Sequence, residues 1–127
     1  MKKKTLITVF ALAVGAGAYA AGAAPGAPLW LRDAQISPDG KNIAFTYKGD
    51  IYRVGVDGGK AVRLTSRDSY EQMPVWSPDG KSLAFASNRN GNFDIFLIQA
   101  EAPGQWQRFT FDSANELPEA FAPDGKS

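Results

Sequence analysis

One short motif occurs three times along the chain, and its spacing limits the possible folds more than any other feature. The copies begin at Ser37, Ser77 and Ala122, so S-P-D-G-K or A-P-D-G-K returns after 40 and then after 45 residues. Shorter matches keep the same phase: Ile43-Ala44-Phe45 with Leu83-Ala84-Phe85, Asp50-Ile51-Tyr52 with Asp94-Ile95-Phe96, Arg63-Leu64-Thr65 with Arg108-Phe109-Thr110, and Glu71 with Glu116. The sequence therefore predicts an array of similar supersecondary units.

Each copy of the motif predicts a hairpin turn. Proline fixes φ for the second position of a type I turn, and the glycine two residues later accepts the left-handed conformation that follows. These turns need no metal or catalytic role to explain their aspartates. The predicted turn residues are Pro38, Asp39, Gly40, Pro78, Asp79, Gly80, Pro123, Asp124 and Gly125.

The segments between the turns alternate as strands do. Ile43, Phe45 and Tyr47 share one face, and the small residues Ala44 and Thr46 share the other, a pattern that suits a sheet packed on both faces. Further turns divide each repeat into four strands. The third strands are predicted at 50–56 and 93–99, and the fourth at about 61–65 and 106–111.

Four strands per repeat at this period predict an all-β chain, a β-propeller of four-stranded antiparallel blades. A solenoid or a β-sandwich could share the turns but would not explain the period. We assign blade 1 to about 29–66, blade 2 to about 70–111 and the start of blade 3 to about 115–127. Because a propeller has about four to eight blades, this partial β-propeller is expected to be a fragment of a longer product.

The first 20 residues are predicted to be a cleavable signal peptide. Lysines at positions 2 to 4 precede an apolar run, and Ala18 and Ala20 supply the small residues that signal peptidase requires, which leaves Ala21 as the mature terminus. A membrane anchor is the alternative, but glycines interrupt the apolar run. Residues 21–28 form a flexible leader. No cysteine follows, so we expect a periplasmic or secreted protein that is neither lipidated nor membrane-bound after cleavage.

The composition removes several kinds of chemistry. The 127 residues include no histidine and no cysteine, which excludes Ser-His-Asp triads, thiol nucleophiles and thiolate zinc sites within the chain. Without the three leader lysines, 11 basic residues face 13 acidic ones, a balance that predicts no nucleic-acid partner. We assign no catalytic, cofactor-binding or metal-binding residue.

Four patterns could be mistaken for functional sites. The oxygen-bearing residues from Asn88 to Asp94 resemble a calcium loop, but the glycine comes too early and Gln99 stands where a glutamate is needed. Ser37 with Lys41 and Ser77 with Lys81 could be nucleophile and base, yet a catalytic pair is needed only once. The aromatic residues Trp30, Phe45, Trp76, Phe85, Trp106 and Phe121 are better read as core than as a stacking platform, and Arg63 and Arg108 as ordinary exposed residues.

The segment from Pro74 to Phe96, P-x-W-S-P-D-G-K-x-L-A-F-x-S-x-R followed by N-x-D-I-F, resembles the repeat of TolB-like and tricorn-like propellers. Three parent types share this repeat: the Tol-system periplasmic protein, prolyl-oligopeptidase-like enzymes and bacterial tricorn-like serine proteases. The Tol-system protein has a sizeable domain ahead of its propeller, so the short stretch between the predicted cleavage site and Leu29 disfavours that parent. The run Leu29-Trp30-Leu31-Arg32, the hairpin at 47–52 and the turn at 113–116 look most like exported tricorn-like proteases.

That resemblance implies an accessory propeller which gates or guides peptide or protein substrates toward a serine peptidase domain, usually with a PDZ-like module. The expected partners are the remaining blades and these downstream domains. None of the family's catalytic residues map onto this chain. A non-enzymatic, TolB-like propeller that binds proteins, or the propeller of a prolyl-oligopeptidase-like enzyme, remains the alternative.

Overall fold

The computed structural model describes residues 31–125, which form two four-stranded antiparallel sheets. In each sheet the strands lie in chain order, so both are simple meanders. This confirms the all-β class and the four-stranded antiparallel units. The first sheet contains β1 (Leu31–Ile36), β2 (Asn42–Tyr47), β3 (Asp50–Gly55) and β4 (Val62–Arg63), and the second contains β5 (Glu71–Trp76), β6 (Ser82–Ser87), β7 (Asp94–Gln99) and β8 (Trp106–Arg108).

Several of the predicted features lie outside the described residues. They include the signal peptide, the leader, and the residues Ala18, Ala20, Ala21 and Trp30. Between residues 31 and 125, no helix is long and apolar enough to cross a membrane.

The three motif copies adopt one turn geometry. The amide of Gly40 donates to the oxygen of Ser37 at 2.9 Å, and Gly80 and Gly125 make the same bond at 2.9 and 2.8 Å. Their φ angles are +71°, +69° and +69°, which only glycine adopts without strain. The first two turns therefore return the chain from the first strand of a repeat to the second.

The fourth strands are shorter than the sequence predicts, and both blades show the reason. The amides of Leu64 and Thr65 both point at the oxygen of Ile51, at 2.8 and 3.4 Å, and those of Phe109 and Thr110 share the oxygen of Ile95 in the same way. Two donors on one acceptor bend the chain away from the sheet. Regular pairing therefore stops at Arg63 and Arg108.

A bulge interrupts the first strand of each blade at the same place in the repeat. Asp33 and Met73 both have φ of +54°, and the pairing register shifts beside each of them. The Asp33 carboxylate accepts from Thr46 Oγ1 at 3.0 Å and from the amide of Met73 at 3.2 Å. The two bulges are thus joined across the blades.

The blades pack with the small face of the first against the large face of the second. Ala44, Ile51 and Leu64 of blade 1 share one buried cluster with residues of blade 2, whereas Phe45 and Val54 belong to a separate cluster on the opposite face of blade 1. Each large side chain buried this way stabilises the fold by about 1.5–3 kcal/mol. The blade 2 members of the shared cluster are Trp76, Leu83, Phe85, Phe96, Ile98 and Ala100.

Candidate functional site

Each blade pairs an aspartate with an arginine where its third strand begins, and a threonine that follows the fourth strand bonds to the same place. In blade 1, Arg63 Nη2 lies 2.6 Å from Asp50 Oδ2, and Thr65 Oγ1 donates to Asp50 Oδ1 at 3.2 Å. Burial raises the pKa of Asp50 above its ordinary value, and the bond and charge of Arg63 oppose that rise. These contacts join the start of β3 to Arg63 of β4 and to Thr65.

Blade 2 repeats the ion pair, with Arg108 Nη2 2.8 Å from Asp94 Oδ2. Thr110 Oγ1 accepts from the amide of Ile95 at 2.9 Å, as Thr65 Oγ1 accepts from that of Ile51 at 2.9 Å. Both arginines that the sequence marked as unremarkable therefore pair with an aspartate of their own blade. The repeat could have predicted these two ion pairs, because Asp50 and Asp94 occupy equivalent positions, just as Arg63 and Arg108 do.

A buried ion pair lies at the same end of blade 2. Glu71 is fully buried, and its Oε1 accepts from Ser69 Oγ at 2.5 Å, Ser87 Oγ at 2.8 Å and Arg89 Nη2 at 3.3 Å. The Arg89 guanidinium carbon lies 3.9 Å from the centre of the Trp106 ring. Burial lowers the pKa of Arg89, and the charge of Glu71 opposes that change.

A polar cavity of about 670 Å³ opens beside this ion pair, and we call it the rim cavity. Most of its lining side chains are hydrogen-bond donors, and Asp68 is its one acid among the lining residues. Arg67 also lies over the Trp106 ring, at 5.0 Å from its centre. The lining residues are Ser66, Arg67, Asp68, Ser69, Asn88 and Arg89.

A second cavity, of about 350 Å³, adjoins Tyr70 and is lined in addition by Arg32, Thr46, Lys48 and Gly49. Tyr70 is 41% exposed, and its amide donates to Asn88 Oδ1 at 2.8 Å, so it is tied to a residue of the rim cavity. The ring lies directly against Gly49, where an added Cβ would come within 2.9 Å of Tyr70 Cδ2. This end of the blades thus presents cations and an exposed aromatic ring.

The serine hydroxyls of the S-P-D-G-K motifs are hydrogen-bonded within their own turns. Ser37 Oγ donates to Asp39 Oδ1 at 2.5 Å and accepts from the amide of Asn42 at 3.0 Å, and Ser77 makes the equivalent bonds at 2.6 and 3.0 Å. Both serine hydroxyls are therefore already used within the turn. Neither Ser37 nor Ser77 is set up as a nucleophile, which needs a base to receive its proton.

The calcium-like segment is also used for internal bonds. Asn92 Nδ2 donates to the oxygens of Asp112 and Ala114 at 3.0 and 2.8 Å, and the amide of Phe93 donates to Asn115 Oδ1 at 3.0 Å. Within residues 31–125, no group of three or more acidic side chains could hold a metal ion. Asn92 and Asn115 therefore join the long turn of blade 2 to the segment that follows β8 by hydrogen bonds.

The aromatic candidates divide between core and cavity walls. Phe45, Trp76 and Phe85 are buried, and Trp106 packs against the cluster shared by the blades. Phe121 instead lines an apolar cavity on the far side of blade 2. These positions favour packing over a sugar-stacking or base-stacking platform.

A family model described as the tricorn protease N-terminal beta propeller domain matches residues 28–127. The chain belongs to this family. It is 34% identical over 86 residues to tricorn protease homolog 1 of Streptomyces coelicolor, covering 68% of this chain and 8% of that protein. It is 36% identical over 70 residues to the Tol-Pal system protein TolB of Syntrophus aciditrophicus, covering 49% of this chain and 16% of that one.

Among solved structures, the putative TolB from Agrobacterium tumefaciens aligns with a TM-score of 0.64 and 32% identity, over 74% of this chain and 35% of that one. The chain therefore spans a small part of the length of these relatives. The likeness to both tricorn and TolB proteins supports the propeller assignment for the two sheets.

Proposed function

We propose that this chain is the accessory propeller section of an exported tricorn-like serine peptidase, and that it gates or guides peptide substrates toward a catalytic domain elsewhere in the protein. The observation that carries the proposal is the family match across residues 28–127. The serine hydroxyls of the repeated motifs are occupied by their turns, which supports an accessory role for these blades.

The chemistry of guidance would lie at the end of the blades that carries the rim cavity. An extended peptide presents carbonyl oxygens and one terminal carboxylate, all hydrogen-bond acceptors. Arg67 and Lys48 offer charged donors there, and the exposed ring of Tyr70 offers apolar contact. Arg89 would hold the wall in place, because it is bound by Glu71 and stacked on Trp106.

Export and a periplasmic location belong to the same proposal. They rest on the predicted signal peptide, with cleavage after Ala20, and on the absence of a cysteine to carry a lipid.

A protein-binding propeller without peptidase activity is the second candidate. It is favoured by the alignment with the putative TolB of Agrobacterium tumefaciens. In that case the same end of the blades would bind a folded protein rather than pass a peptide onward.

The reading frame beyond the codon for Ser127 distinguishes these candidates. We expect further S-P-D-G-K blades, then a PDZ-like module and a serine peptidase domain. A stop codon directly after the ring closes would favour the binding protein. A G-x-S-x-G elbow in an α/β-hydrolase domain would move the parent to the prolyl-oligopeptidase-like group.

A further inference from the structure

The long turn between β6 and β7 carries an asparagine directly followed by a glycine, Asn90-Gly91. In such a pair the main-chain nitrogen of the glycine can attack the side-chain carbonyl carbon of the asparagine, because glycine has no side chain to obstruct the approach. Only one asparagine of the chain precedes a glycine, and it is Asn90. The other asparagines are Asn42, Asn88, Asn92 and Asn115.

The structure separates Asn90 from the other asparagines in a second way. Asn90 is exposed, and its side chain makes no hydrogen bond to any residue between 31 and 125. An amide that is hydrogen-bonded is held in one orientation, whereas the Asn90 side chain is free to rotate toward Gly91. The other four are bonded: Asn88 Oδ1 accepts from the amide of Tyr70 at 2.8 Å, Asn115 Oδ1 from that of Phe93 at 3.0 Å and Asn42 Oδ1 from Arg53 Nη1 at 3.4 Å, and Asn92 Nδ2 donates to the oxygens of Asp112 and Ala114.

Gly91 lies in open space at the tip of this turn. Its φ is +109°, and a Cβ added there would have no atom within 4 Å apart from those of its chain neighbours. One contact opposes the reaction, because the amide of Gly91 donates to the oxygen of Asn88 at 2.9 Å. Exposed turns open locally at a small cost in free energy, so this bond slows the attack without preventing it.

We propose that Asn90 is the deamidation site of the folded chain. The main-chain nitrogen of Gly91 loses its proton to solvent and forms a bond to Asn90 Cγ. The side-chain nitrogen takes up a proton and leaves as ammonia, which gives a cyclic succinimide. Water then opens the ring at either carbonyl, so the product carries aspartate or isoaspartate at position 90. The reaction consumes only water and releases only ammonia.

Either product adds a negative charge to the turn that carries Asn88 and Arg89, two of the residues that line the rim cavity. Isoaspartate also lengthens the main chain by a methylene group at position 90. Deamidation therefore lowers the positive potential at this end of the blades as the protein ages. The inference does not rest on the proposed function, because it requires neither a peptidase domain nor a bound peptide.

The test incubates the full chain under native conditions in mildly alkaline buffer and follows the loss of side-chain amides by mass spectrometry. Trypsin cleaves after Arg89 and Arg108, so Asn90 and Asn92 lie in one peptide, 90–108, whose fragmentation distinguishes them. We expect Asn90 to lose its amide severalfold faster than any other asparagine. An isoaspartate-specific methyltransferase should label the same peptide.

Asn90→Gln should abolish the methyltransferase label in peptide 90–108, because the longer side chain does not form the succinimide. Asn42→Gln is the matched control, since it makes the same chemical change elsewhere and should leave the rate at Asn90 unchanged. In urea the rate at Asn90 should rise, because the bond between Gly91 and Asn88 is lost.

Three results would overturn the inference. The first is an Asn90 amide that is lost no faster than that of Asn115, which is exposed as well but hydrogen-bonded. The second is a label in peptide 90–108 that persists in Asn90→Gln. The third is a rate at Asn90 that urea leaves unchanged, because the turn would then play no part in the reaction.

Discussion

Trp76 of the second blade donates a hydrogen bond from its indole nitrogen to the main-chain oxygen of Gln35 in the first blade, at a distance of 3.0 Å. Gln35 lies on β1 next to the bulge, so the bond joins the first strands of the two blades. The Trp76 ring meanwhile belongs to the buried cluster between the blades. One side chain therefore contributes both a polar and an apolar contact to the interface.

We predict that Trp76→Phe lowers the free energy of unfolding by about 1 to 2 kcal/mol, because the oxygen of Gln35 loses its donor while most of the ring remains. Trp76→Ala should cost about 3 to 5 kcal/mol, since it also leaves a cavity. Urea unfolding of the 127-residue chain measures both. Equal losses for the two variants would show that the hydrogen bond, and not the ring, dominates.

Glu71 and Arg89 give a prediction about buried charge. Their side chains are 0% and 6% exposed, so Glu71→Gln leaves the Arg89 guanidinium without its counter-charge and should cost about 3 to 5 kcal/mol. The matched control is Glu101→Gln, because Glu101 is 80% exposed in its pair with Arg53 and should cost less than about 1 kcal/mol. A loss at Glu71 no larger than the loss at Glu101 would contradict the ion-pair account.

Gly49 combines two constraints that substitution can separate. Its φ is +80°, and a Cβ there would meet Tyr70, whereas Gly59 has φ of +103° with open space around it. Gly59→Ala should therefore lose only the cost of the left-handed backbone, about 1 to 2 kcal/mol. In chemical denaturation, Gly49→Ala should lower the free energy of unfolding by more than Gly59→Ala does. Adding Tyr70→Ala to Gly49→Ala should restore that extra loss. The clash would be disproved if Tyr70→Ala restored none of the free energy of unfolding that Gly49→Ala loses.

The turn aspartates predict a dependence of stability on pH. The hydroxyls of Ser37 and Ser77 donate to Asp39 and Asp79 and hold the pKa of each carboxyl below its ordinary value of 3.8. A pKa that is lower in the folded state gives stability that is present above pH 3.8 and is lost as the pH falls through the folded-state value.

In thermal unfolding scans at decreasing pH, the chain with Asp39→Asn and Asp79→Asn should therefore lose less stability below pH 3.8 than the original chain. Asp57→Asn is the control for removing an exposed carboxylate from another turn. An identical pH profile for all three chains would refute the role of the serine bonds.

The sequence predicted the strands and turns well because they depend on local chemistry. The proline and glycine of the repeated motif determine a turn within a few residues. The alternation of large and small residues after the motif determines a strand in the same local way. The bulges at Asp33 and Met73 have no such signature, and the third repeat even places Pro118 at that position, where φ cannot be positive. Their geometry comes from pairing between strands.

The direction of blade packing could not be predicted either. Alternation separates the face of Phe45 from the face of Ala44, but it does not tell which face meets the next blade. The pair of Glu71 and Arg89 was missed for a similar reason, because it joins two strands through a buried contact 18 residues apart. The rim cavity could not be predicted because it forms where the connector at 66–69 meets Asn88 and Arg89, which follow it by about 20 residues.

The central proposal is that this propeller section guides peptides to a catalytic domain, and the most direct measurement uses the full-length protein. We would compare kcat/KM for an unfolded polypeptide and for a short fluorogenic peptide, before and after Arg67→Gln, with Asp57→Asn as the control. The account predicts that Arg67→Gln reduces hydrolysis of the long substrate severalfold and leaves the short one unchanged. Equal effects on both substrates, or no effect on either, would contradict it.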